Sequence, residues 1–269
     1  MITDKNLIQT MNMILQNNRS LRKWLVISWA FVSCQLLVTR AVAQQYTGMS
    51  GLIHVPSADM DSAGTARLGM HALPKEMMPD AFRFEGEKYA TSSWYLSYTP
   101  VKWVEIGYTF TLMRFRRGLD VSQPAGFYSK DRYFSLKVQP IQEKEWWPSV
   151  AVGGNDVWGQ HDGESGSFYF RNFYAASSKH VWLGNVAVVG AHLAYRKWAK
   201  DYNHKWEGLV GGLTVQPQFY EPLRFIGEYD GHSLNVGADC YLFRFLLLQA
   251  SLMQGKYLSG GVCLKLDLM

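Results

Sequence analysis

Three absences limit what this 269-residue chain can be: it has few charged residues, few cysteines and no long apolar run after residue 38. With 18% charged residues and 3 Cys, neither a charge-rich surface nor a dense disulfide framework is expected. Residues 1–43 carry five of the 27 basic residues and one of the 22 acidic ones, which leaves a near balance of 22 to 21. We therefore expect no nucleic-acid partner, and any membrane crossing by the remaining chain must be made by strands.

Strand-like alternation dominates the last third of the chain, residues 207–268. In segment 258–268 every second residue is apolar or glycine, and most of the residues between them are polar or small. The Asp230-Gly231 pair lies between two such alternating segments, which is a hairpin signal. A period of two with one apolar and one polar face indicates a sheet between two media, either a soluble sandwich or a membrane barrel.

The same pattern extends towards the N-terminus and predicts about twelve strands of membrane-spanning length. They lie near residues 66–73, 91–100, 102–113, 130–139, 148–158, 167–178, 184–196, 207–216, 222–230, 232–242, 245–254 and 258–268. Long polar connections alternate with short ones over the first eight strands, as in outer-membrane barrels with short periplasmic turns and longer external loops. The predicted fold class is all-β: an antiparallel transmembrane β-barrel over residues 66–269, preceded by a cleaved signal peptide.

Tryptophan placement favours the barrel over the sandwich. Four tryptophans fall beside the predicted periplasmic turns, namely Trp103, Trp146, Trp147 and Trp182. Four others fall at the predicted outer ends, namely Trp94, Trp158, Trp198 and Trp206. Amphipathic rings form two girdles where a barrel meets both membrane interfaces. Chance placement at strand ends and a sugar-binding groove are the alternatives.

Residues 1–43 are predicted to be a signal peptide, within which the translation start is predicted to be Met11 or Met13. A basic stretch precedes an apolar core over 24–38, and Ala41-Val42-Ala43 supplies a small-x-small cleavage pattern. An uncleaved anchor and lipidation of Cys34 are the alternatives. Residues 44–65 are then predicted to be an N-terminal periplasmic or plug segment, since Pro56 and the small polar residues after it break any strand.

Six polar residues on the predicted inner faces are candidate lumen residues: Asp156, Arg224, Glu228, Asp230, Asn235 and Asp239. Unpaired charge inside a narrow barrel is costly, so the favoured interpretation is a structural salt-bridge network in which Arg224 and Glu228 face Asp239. The alternative is a polar lumen that contacts sugar hydroxyls. The two cysteines of this region, Cys240 and Cys263, fall on opposite faces of strands that are separated by a third strand, so we expect both thiols to stay unpaired.

Motifs for catalysis and cofactor binding are scarce. His161 and Ser165 lie close together in a glycine-rich loop without a G-x-S-x-G elbow, and a nucleophile needs its base held rigidly within reach. No phosphate-binding loop follows the strands, and the seven histidines lack metal-ligand spacing in sequence. We therefore expect no enzyme activity, no cofactor and no metal.

Short glycine-rich stretches resemble the YjbH-like outer-membrane family in their order and spacing. They are Gly51-Leu52-Ile53, Pro56-Ser57-Ala58, Gly64-Thr65, the run 148–156, the run 169–179, the run 227–231 and Asn235-Val236-Gly237. The resemblance implies a non-enzymatic barrel in the outer membrane of a Gram-negative bacterium that supports exopolysaccharide assembly or secretion. Its implied partners are outer-membrane lipid, polysaccharide and other export proteins. A lipid-modifying hydrolase that uses the His161/Ser165 loop and a structural or adhesion barrel are the alternatives.

Overall fold

The computed structural model describes residues 44–117, 122–159, 168–199 and 201–269. Twelve strands form one closed antiparallel barrel in which each strand pairs with its neighbours in sequence and the first pairs with the last. The strands are β1 (Thr65–Leu73), β2 (Thr91–Val101), β3 (Val104–Arg116), β4 (Ala125–Ile141), β5 (Ser149–Gly159), β6 (Asn172–Leu183), β7 (Ala187–Trp198), β8 (Gly208–Pro217), β9 (Leu223–Tyr229), β10 (Leu234–Leu242), β11 (Leu246–Met253) and β12 (Tyr257–Asp267).

The predicted fold class, an antiparallel barrel of about twelve strands, is confirmed. The predicted signal peptide and Cys34 lie outside the described residues. In the described ranges, helical structure is limited to short 3₁₀ turns at Lys75–Met77, Asp201–Trp206 and Gln218–Tyr220. Among the described residues, no helix is long and apolar enough to cross a membrane.

The largest departure from the predicted strand bounds is β6, which spans Asn172–Leu183 rather than 167–178. The prediction assigned residues 179–183 to the connection that follows this strand. In the structure both are held by the neighbouring β4–β5 turn: Lys179 Nζ lies 3.3 Å from a carboxylate oxygen of Glu143, and the backbone N–H of His180 donates to the same residue at 2.8 Å. Because these polar groups have partners, the strand continues for another five residues.

The two ends of the barrel differ in the length of the connections between strands. At the end where β1 begins and β12 ends, which we call the turn end, the connections are 102–103, 142–148, 184–186, 218–222 and 243–245. At the opposite end, which we call the loop end, they are 74–90, 117–124, 160–171, 199–207, 230–233 and 254–256. The predicted alternation of long and short connections over the first eight strands is confirmed.

The outward face of the wall is apolar. Every strand exposes at least one large apolar side chain, with fractional exposure between 38% and 58% for the following set. The set is Leu68, Leu96, Ile106, Phe134, Val152, Phe173, Leu193, Leu213, Phe225, Val236, Leu252 and Leu264. A continuous apolar belt around a closed barrel is the surface that a bilayer requires.

The inward face of the same strands is polar and buried. Each strand contributes at least one buried polar side chain, for example Arg67, Ser97, Glu105, Lys137, Asn155, Ser178, Arg196, Thr214, Glu228, Asp239, Gln249 and Lys265. Side chains alternate across a strand, so a period-two sequence puts these residues and the apolar belt on opposite sides of one wall. Burial of so many polar groups requires partners inside the barrel.

Residues 44–64, which we call the plug, supply many of those partners. Every residue from 44 to 58 is buried, and the segment folds on itself through bridges between Gln44 and Ser50 and between Gly51 and Pro56. At Gly48 the backbone has a φ of +81°, and a Cβ there would lie 2.5 Å from the Tyr95 side chain of β2. The N-terminal segment of the described chain therefore lies inside the barrel, packed against its wall.

Aromatic residues close the loop end above the plug. Phe82, from the β1–β2 loop, packs edge-on against Tyr169 and Phe170 at centroid distances of 5.1 and 5.9 Å. Phe170 in turn lies 5.4 Å from the ring of Tyr133 and 6.1 Å from that of Tyr46 in the plug. We call these five residues the aromatic cap, because they form an apolar layer between the plug and the loops.

The predicted girdles are correct for six tryptophans and wrong for two. The exposed rings are Trp103, Trp146, Trp147 and Trp182 at the turn end and Trp94 and Trp158 towards the loop end. Trp198 and Trp206 are instead buried, with ring centroids 6.0 Å apart. The prediction used only their place along the chain. Trp198 shares the inward parity of His192 and Arg196 in β7, so its ring points into the lumen.

The cysteines follow the predicted parity. Cys240 in β10 pairs with Leu248 and faces outward, whereas Cys263 in β12 is buried on the inward face. Strand β11 lies between them, and both cysteines are free in the structure. The opposite orientation of the two side chains excludes the convergence of Cβ atoms that a disulfide needs.

Candidate functional site: the plugged lumen

Glu228 of β9 binds the plug through three consecutive backbone amides. Its carboxylate accepts the N–H groups of Ile53, His54 and Val55 at 3.0, 2.9 and 3.1 Å. Successive backbone amides that converge on one carboxylate form an anion-binding nest of the kind that backbone turns provide. One wall residue therefore satisfies three donors of a segment that has no sheet partner of its own.

Arg196 of β7 binds backbone carbonyl oxygens of the plug and of two connections at the loop end. Its guanidinium donates to the carbonyl oxygens of His54, Trp206 and Asp230 at 2.7, 3.0 and 3.0 Å. The His54 ring is stacked on Tyr46 and meets Trp206 edge-on, with centroid distances of 5.0 and 4.9 Å. Arg196 therefore ties the plug to the β7–β8 and β9–β10 connections at the loop end.

Asn235 holds Glu228 in place and links it to Asp230 in the same β9–β10 hairpin. The Asn235 amide donates to Glu228 Oε1 at 3.0 Å and to Asp230 Oδ2 at 3.1 Å. Asp230 Oδ1 accepts the backbone N–H groups of His232 and Ser233 and so fixes the β9–β10 turn. We call Arg196, Glu228, Asp230 and Asn235 the plug cradle, since together they hold residues 53–55.

A second anchor lies on β3 and β4, where two buried charges enclose the plug. Lys137 Nζ lies 3.1 Å from Glu105 Oε2, and both side chains are almost fully buried. Lys137 also donates to the carbonyl oxygens of Ser50 and Asp59 at 2.9 and 2.7 Å, while Glu105 accepts the N–H of Ser50 at 2.9 Å. The ion pair is thus completed by plug backbone groups, as a buried pair requires.

A third anchor joins the last residues of the plug to β1 and β12. Arg67 Nε lies 2.6 Å from Asp61 Oδ2, and its Nη2 donates to Asp61 Oδ1 at 2.7 Å, which is a two-point guanidinium–carboxylate pair. Lys265 Nζ approaches the same carboxylate at 3.9 Å, and Arg67 Nη1 donates to Gln44 at 3.3 Å. The two ends of the plug are therefore held by one wall residue at the seam where the barrel closes.

The predicted salt-bridge network is present only in part. Arg224 of β9 pairs with Asp239 of β10 at 2.7 Å, and both side chains are buried. Glu228 does not join this pair, because its oxygens are taken by the plug amides and Asn235. The prediction assumed that inward charges pair only with other residues of the barrel wall. In the structure, Glu228 pairs with the plug that the wall encloses.

Asp156, the remaining predicted lumen residue, lies apart from the plug cradle. It is buried in β5 at a break in the β4–β5 register, and its backbone has a φ of +57°. His161 and Ser165, the predicted catalytic pair of the hydrolase alternative, lie outside the described residues. Of the six predicted lumen residues, three meet in the plug cradle, two form the Arg224–Asp239 pair, and Asp156 belongs to neither group.

Inward glycines form sockets for apolar side chains of the plug. A Cβ on Gly107 would lie 2.7 Å from Met49 Sδ, and one on Gly212 would lie 2.7 Å from a methyl carbon of Leu52. A Cβ on Gly237 would lie 3.0 Å from Ile53 Cδ1. A side chain at any of these glycines would require the neighbouring plug side chain to move, so the wall fits the plug closely at these points.

Sequence reasoning missed Arg196, Arg67 and the plug residues that they bind. The available signal was the position of each arginine in the alternation along its strand, which places it on the inward face. No oppositely charged residue lies at the facing position of a neighbouring strand. An arginine buried in this way requires a partner from elsewhere in the chain. Inward glycines were a second signal, since they mark close approach to something inside the barrel.

These features define a class: a closed twelve-stranded β-barrel with an apolar outer belt and a lumen filled by its own N-terminal plug. The model of the family described as "Exopolysaccharide biosynthesis protein YbjH" matches residues 43–269, and the chain belongs to this YjbH family. Among solved structures, the chain is similar to outer membrane phospholipase A from Escherichia coli, with 14% identity and a TM-score of 0.33 over 77% of this chain and 98% of the other. No match was found among curated proteins.

Proposed function

We propose that this protein is a non-enzymatic outer-membrane barrel of a Gram-negative bacterium that supports exopolysaccharide assembly or secretion. Membership of the YjbH family supports the link to exopolysaccharide. The apolar belt on all twelve strands supports residence in a bilayer. In this arrangement the turn end faces the periplasm and the loop end faces outward, as in bacterial barrels with short periplasmic turns.

The plug supports an accessory barrel over a permanently open conduit. Residues 44–58 are buried throughout, and the aromatic cap lies above them at the loop end. A polysaccharide chain can pass this lumen only if the plug leaves its anchors on Glu228, Lys137 and Arg67. We therefore favour an accessory role in which the barrel is closed at rest.

The experiment is a gene deletion followed by measurement of surface polysaccharide. We expect the deletion to lower surface polysaccharide, and both the unchanged gene and a Ser165→Ala variant to restore it. Unchanged polysaccharide after deletion would support the structural or adhesion barrel instead.

A matched pair of variants tests the hydrolase alternative in the same strain. If Ser165→Ala and His161→Ala both assemble in the outer membrane but fail to restore polysaccharide, the non-enzymatic proposal is wrong. Assembly is checked in the same samples by the faster gel migration of an unheated folded barrel.

A further inference from the structure

Two histidines of the wall and one carboxylate of the plug meet at the turn end of the barrel. His180 Nε2 of β6 lies 3.9 Å from Asp59 Oδ1, and His192 Nδ1 of β7 lies 3.6 Å from Asp59 Oδ2. The three ligand atoms all lie within 4.8 Å of one another, and the two imidazole rings are 5.4 Å apart at their centroids. We call this group the Asp-His-His cluster.

The hydrogen bond between His180 and Glu143 leaves Nε2 as the ring nitrogen that faces Asp59. Its Nδ1 lies 2.7 Å from Glu143 Oε2, a bond in which the ring donates because the carboxylate can only accept. With Nδ1 as the donor, the Nε2 of the neutral ring carries a lone pair that faces the plug.

The hydrogen bonds of His192 likewise determine which ring nitrogen faces Asp59. Ser178 Oγ accepts the backbone N–H of Ala58 at 2.9 Å and lies 2.9 Å from His192 Nδ1, so its hydroxyl can donate to the lone pair of Nδ1. The other ring nitrogen, Nε2, lies 3.1 Å from Thr214 Oγ1 and can donate to it. With Nε2 as the donor, Nδ1 is the nitrogen of His192 that faces Asp59, and it can bind a metal when the Ser178 hydroxyl turns its proton away.

Nearby basic side chains do not fill the space between these acceptors. Three cations lie closest in the described part of the chain, and each has its own carboxylate: Lys137 has Glu105, Lys179 has Glu143 and Arg224 has Asp239, at 3.1, 3.3 and 2.7 Å. The side chain of Asp59 has only the two imidazoles within ion-pair distance among the described residues. Converging acceptors without a cation repel one another, which is the arrangement that a metal ion resolves.

We propose that the Asp-His-His cluster binds one zinc-class divalent metal ion, which clasps the plug to the wall. Two imidazole nitrogens and one carboxylate oxygen are a ligand set that suits zinc, with water in the fourth position. Glu143 then acts as the outer carboxylate that orients a ligating histidine. This proposal concerns binding and does not depend on a role in exopolysaccharide production.

Distances and access are consistent with metal entry from the turn end. Ligand atoms of a tetrahedral zinc site lie about 3.3 Å apart for bonds of about 2.0–2.1 Å, so Asp59 needs to approach each ring by a few tenths of an ångström. The two imidazole nitrogens, which lie within 4.8 Å of each other, also need to come within this distance. The side chains of Asp59 and His180 are 10% and 19% exposed, whereas that of His192 is fully buried. An ion can therefore reach two of the ligands from solvent before it meets the third.

Zinc binding by the purified full chain in detergent tests the proposal. The protein is stripped of metal with a chelator and titrated with zinc chloride by calorimetry. We expect one zinc ion per chain, with affinity at least tenfold lower in Asp59→Asn and in His180→Gln, and about tenfold lower in Glu143→Gln, in line with the usual effect of losing an outer carboxylate. A His71→Gln variant is the control, because His71 is a buried lumen histidine that bonds Gln249 instead, at 2.7 Å.

Two results overturn the proposal. One is the absence of stoichiometric zinc binding by folded protein near neutral pH, which would mean that protons rather than a metal balance the cluster. The other is equal zinc affinity in the unchanged chain and in a folded His180→Gln variant. His180 is the decisive position if Asp59→Asn does not assemble, because His180 is partly exposed at the turn end. Heat-dependent gel migration shows which variants are folded.

Discussion

The two faces of each strand place different requirements on their residues. In β7, Leu193 and Tyr195 face outward and are more than half exposed, while His192 and Arg196 face inward and are buried. An outward residue needs only to be apolar, since lipid has no fixed shape to match. An inward residue needs a particular partner, because a buried charge without one is unstable. The outward face therefore determines where the protein resides, and the inward face determines what fills it.

The charged residues of the inward face fall into two groups that differ in where their partners come from. Some inward charges pair within the wall, as Arg224 does with Asp239. Others are completed only by the plug, as Glu228 is by the amides of residues 53–55. Removing a residue from the first group should destabilise the barrel itself, and removing one from the second should mainly release the plug. The predictions below test these differences in order of expected size.

The largest effect is expected at the wall-to-wall ion pair. Arg224→Leu leaves Asp239 buried without its cation, which costs about 3–5 kcal/mol of unfolding free energy. Combining Arg224→Leu with Asp239→Leu should recover most of that loss, because the double variant leaves no unpaired buried charge. Urea unfolding of the refolded barrel in lipid vesicles measures both, and equal losses in the single and double variants would contradict the pairing.

The next effect concerns the outward face. Leu193 and Leu183 are both outward leucines with 53% exposure, but Leu193 is in the middle of β7 and Leu183 is at the turn end of β6. Leu193→Arg should cost about 2–4 kcal/mol and Leu183→Arg about 0–1 kcal/mol, because the penalty for a cation depends on membrane depth. Similar losses in the same unfolding assay would mean that this face does not contact lipid.

A smaller effect is expected at the plug cradle. Glu228→Gln removes the charge from three hydrogen bonds to the plug, and bonds to charged groups contribute about 1.5–3 kcal/mol. We expect the plug to open more often and to be cut faster by protease, while the barrel stays folded. Asp267→Asn is the control, since Asp267 is an exposed carboxylate at the end of β12. Equal protease sensitivity of the two variants would exclude a role of Glu228 in holding the plug.

The smallest effect is expected at the glycine sockets. Gly107→Val forces Met49 to move and should cost about 1–3 kcal/mol, the usual penalty of overpacking. Gly227→Val is the matched control, because a Cβ at Gly227 meets nothing within 4 Å. The readout is again protease cleavage of the plug. A plug that stays protected in Gly107→Val would show that Met49 does not occupy this socket.

Much of the wall could be predicted from the sequence, because a period of two is a local property that each strand displays by itself. The order of strands, the long and short connections and the outward belt follow from that period. Predictions failed where a partner distant in sequence decides the outcome. Trp198 was placed in a girdle by its position alone, and β6 was ended at 178 because its later polar residues are satisfied only by the β4–β5 turn.

The plug contacts could not be derived in the same way. Residues 44–64 have no periodicity, and Ile53 meets Glu228 across 175 residues of chain. The inward glycines were visible in the sequence, but they fit an empty polar lumen as well as a filled one until Met49, Leu52 and Ile53 are seen in their sockets. Three of the six predicted lumen residues do meet around the plug. The segment that they bind is the one for which the sequence analysis left two alternatives, a periplasmic segment or a plug.

Hydrogen exchange of the plug in the assembled protein tests the central claim most directly. We measure deuterium uptake of the peptide that covers residues 44–58, in lipid vesicles, and compare it with uptake by the β7–β8 loop, 199–207. The account predicts that amides of the plug exchange as slowly as those of the wall strands, because they are buried and bonded to Glu228, Glu105 and Ser178. Exchange of residues 44–58 at the rate of the loop would contradict a plugged lumen.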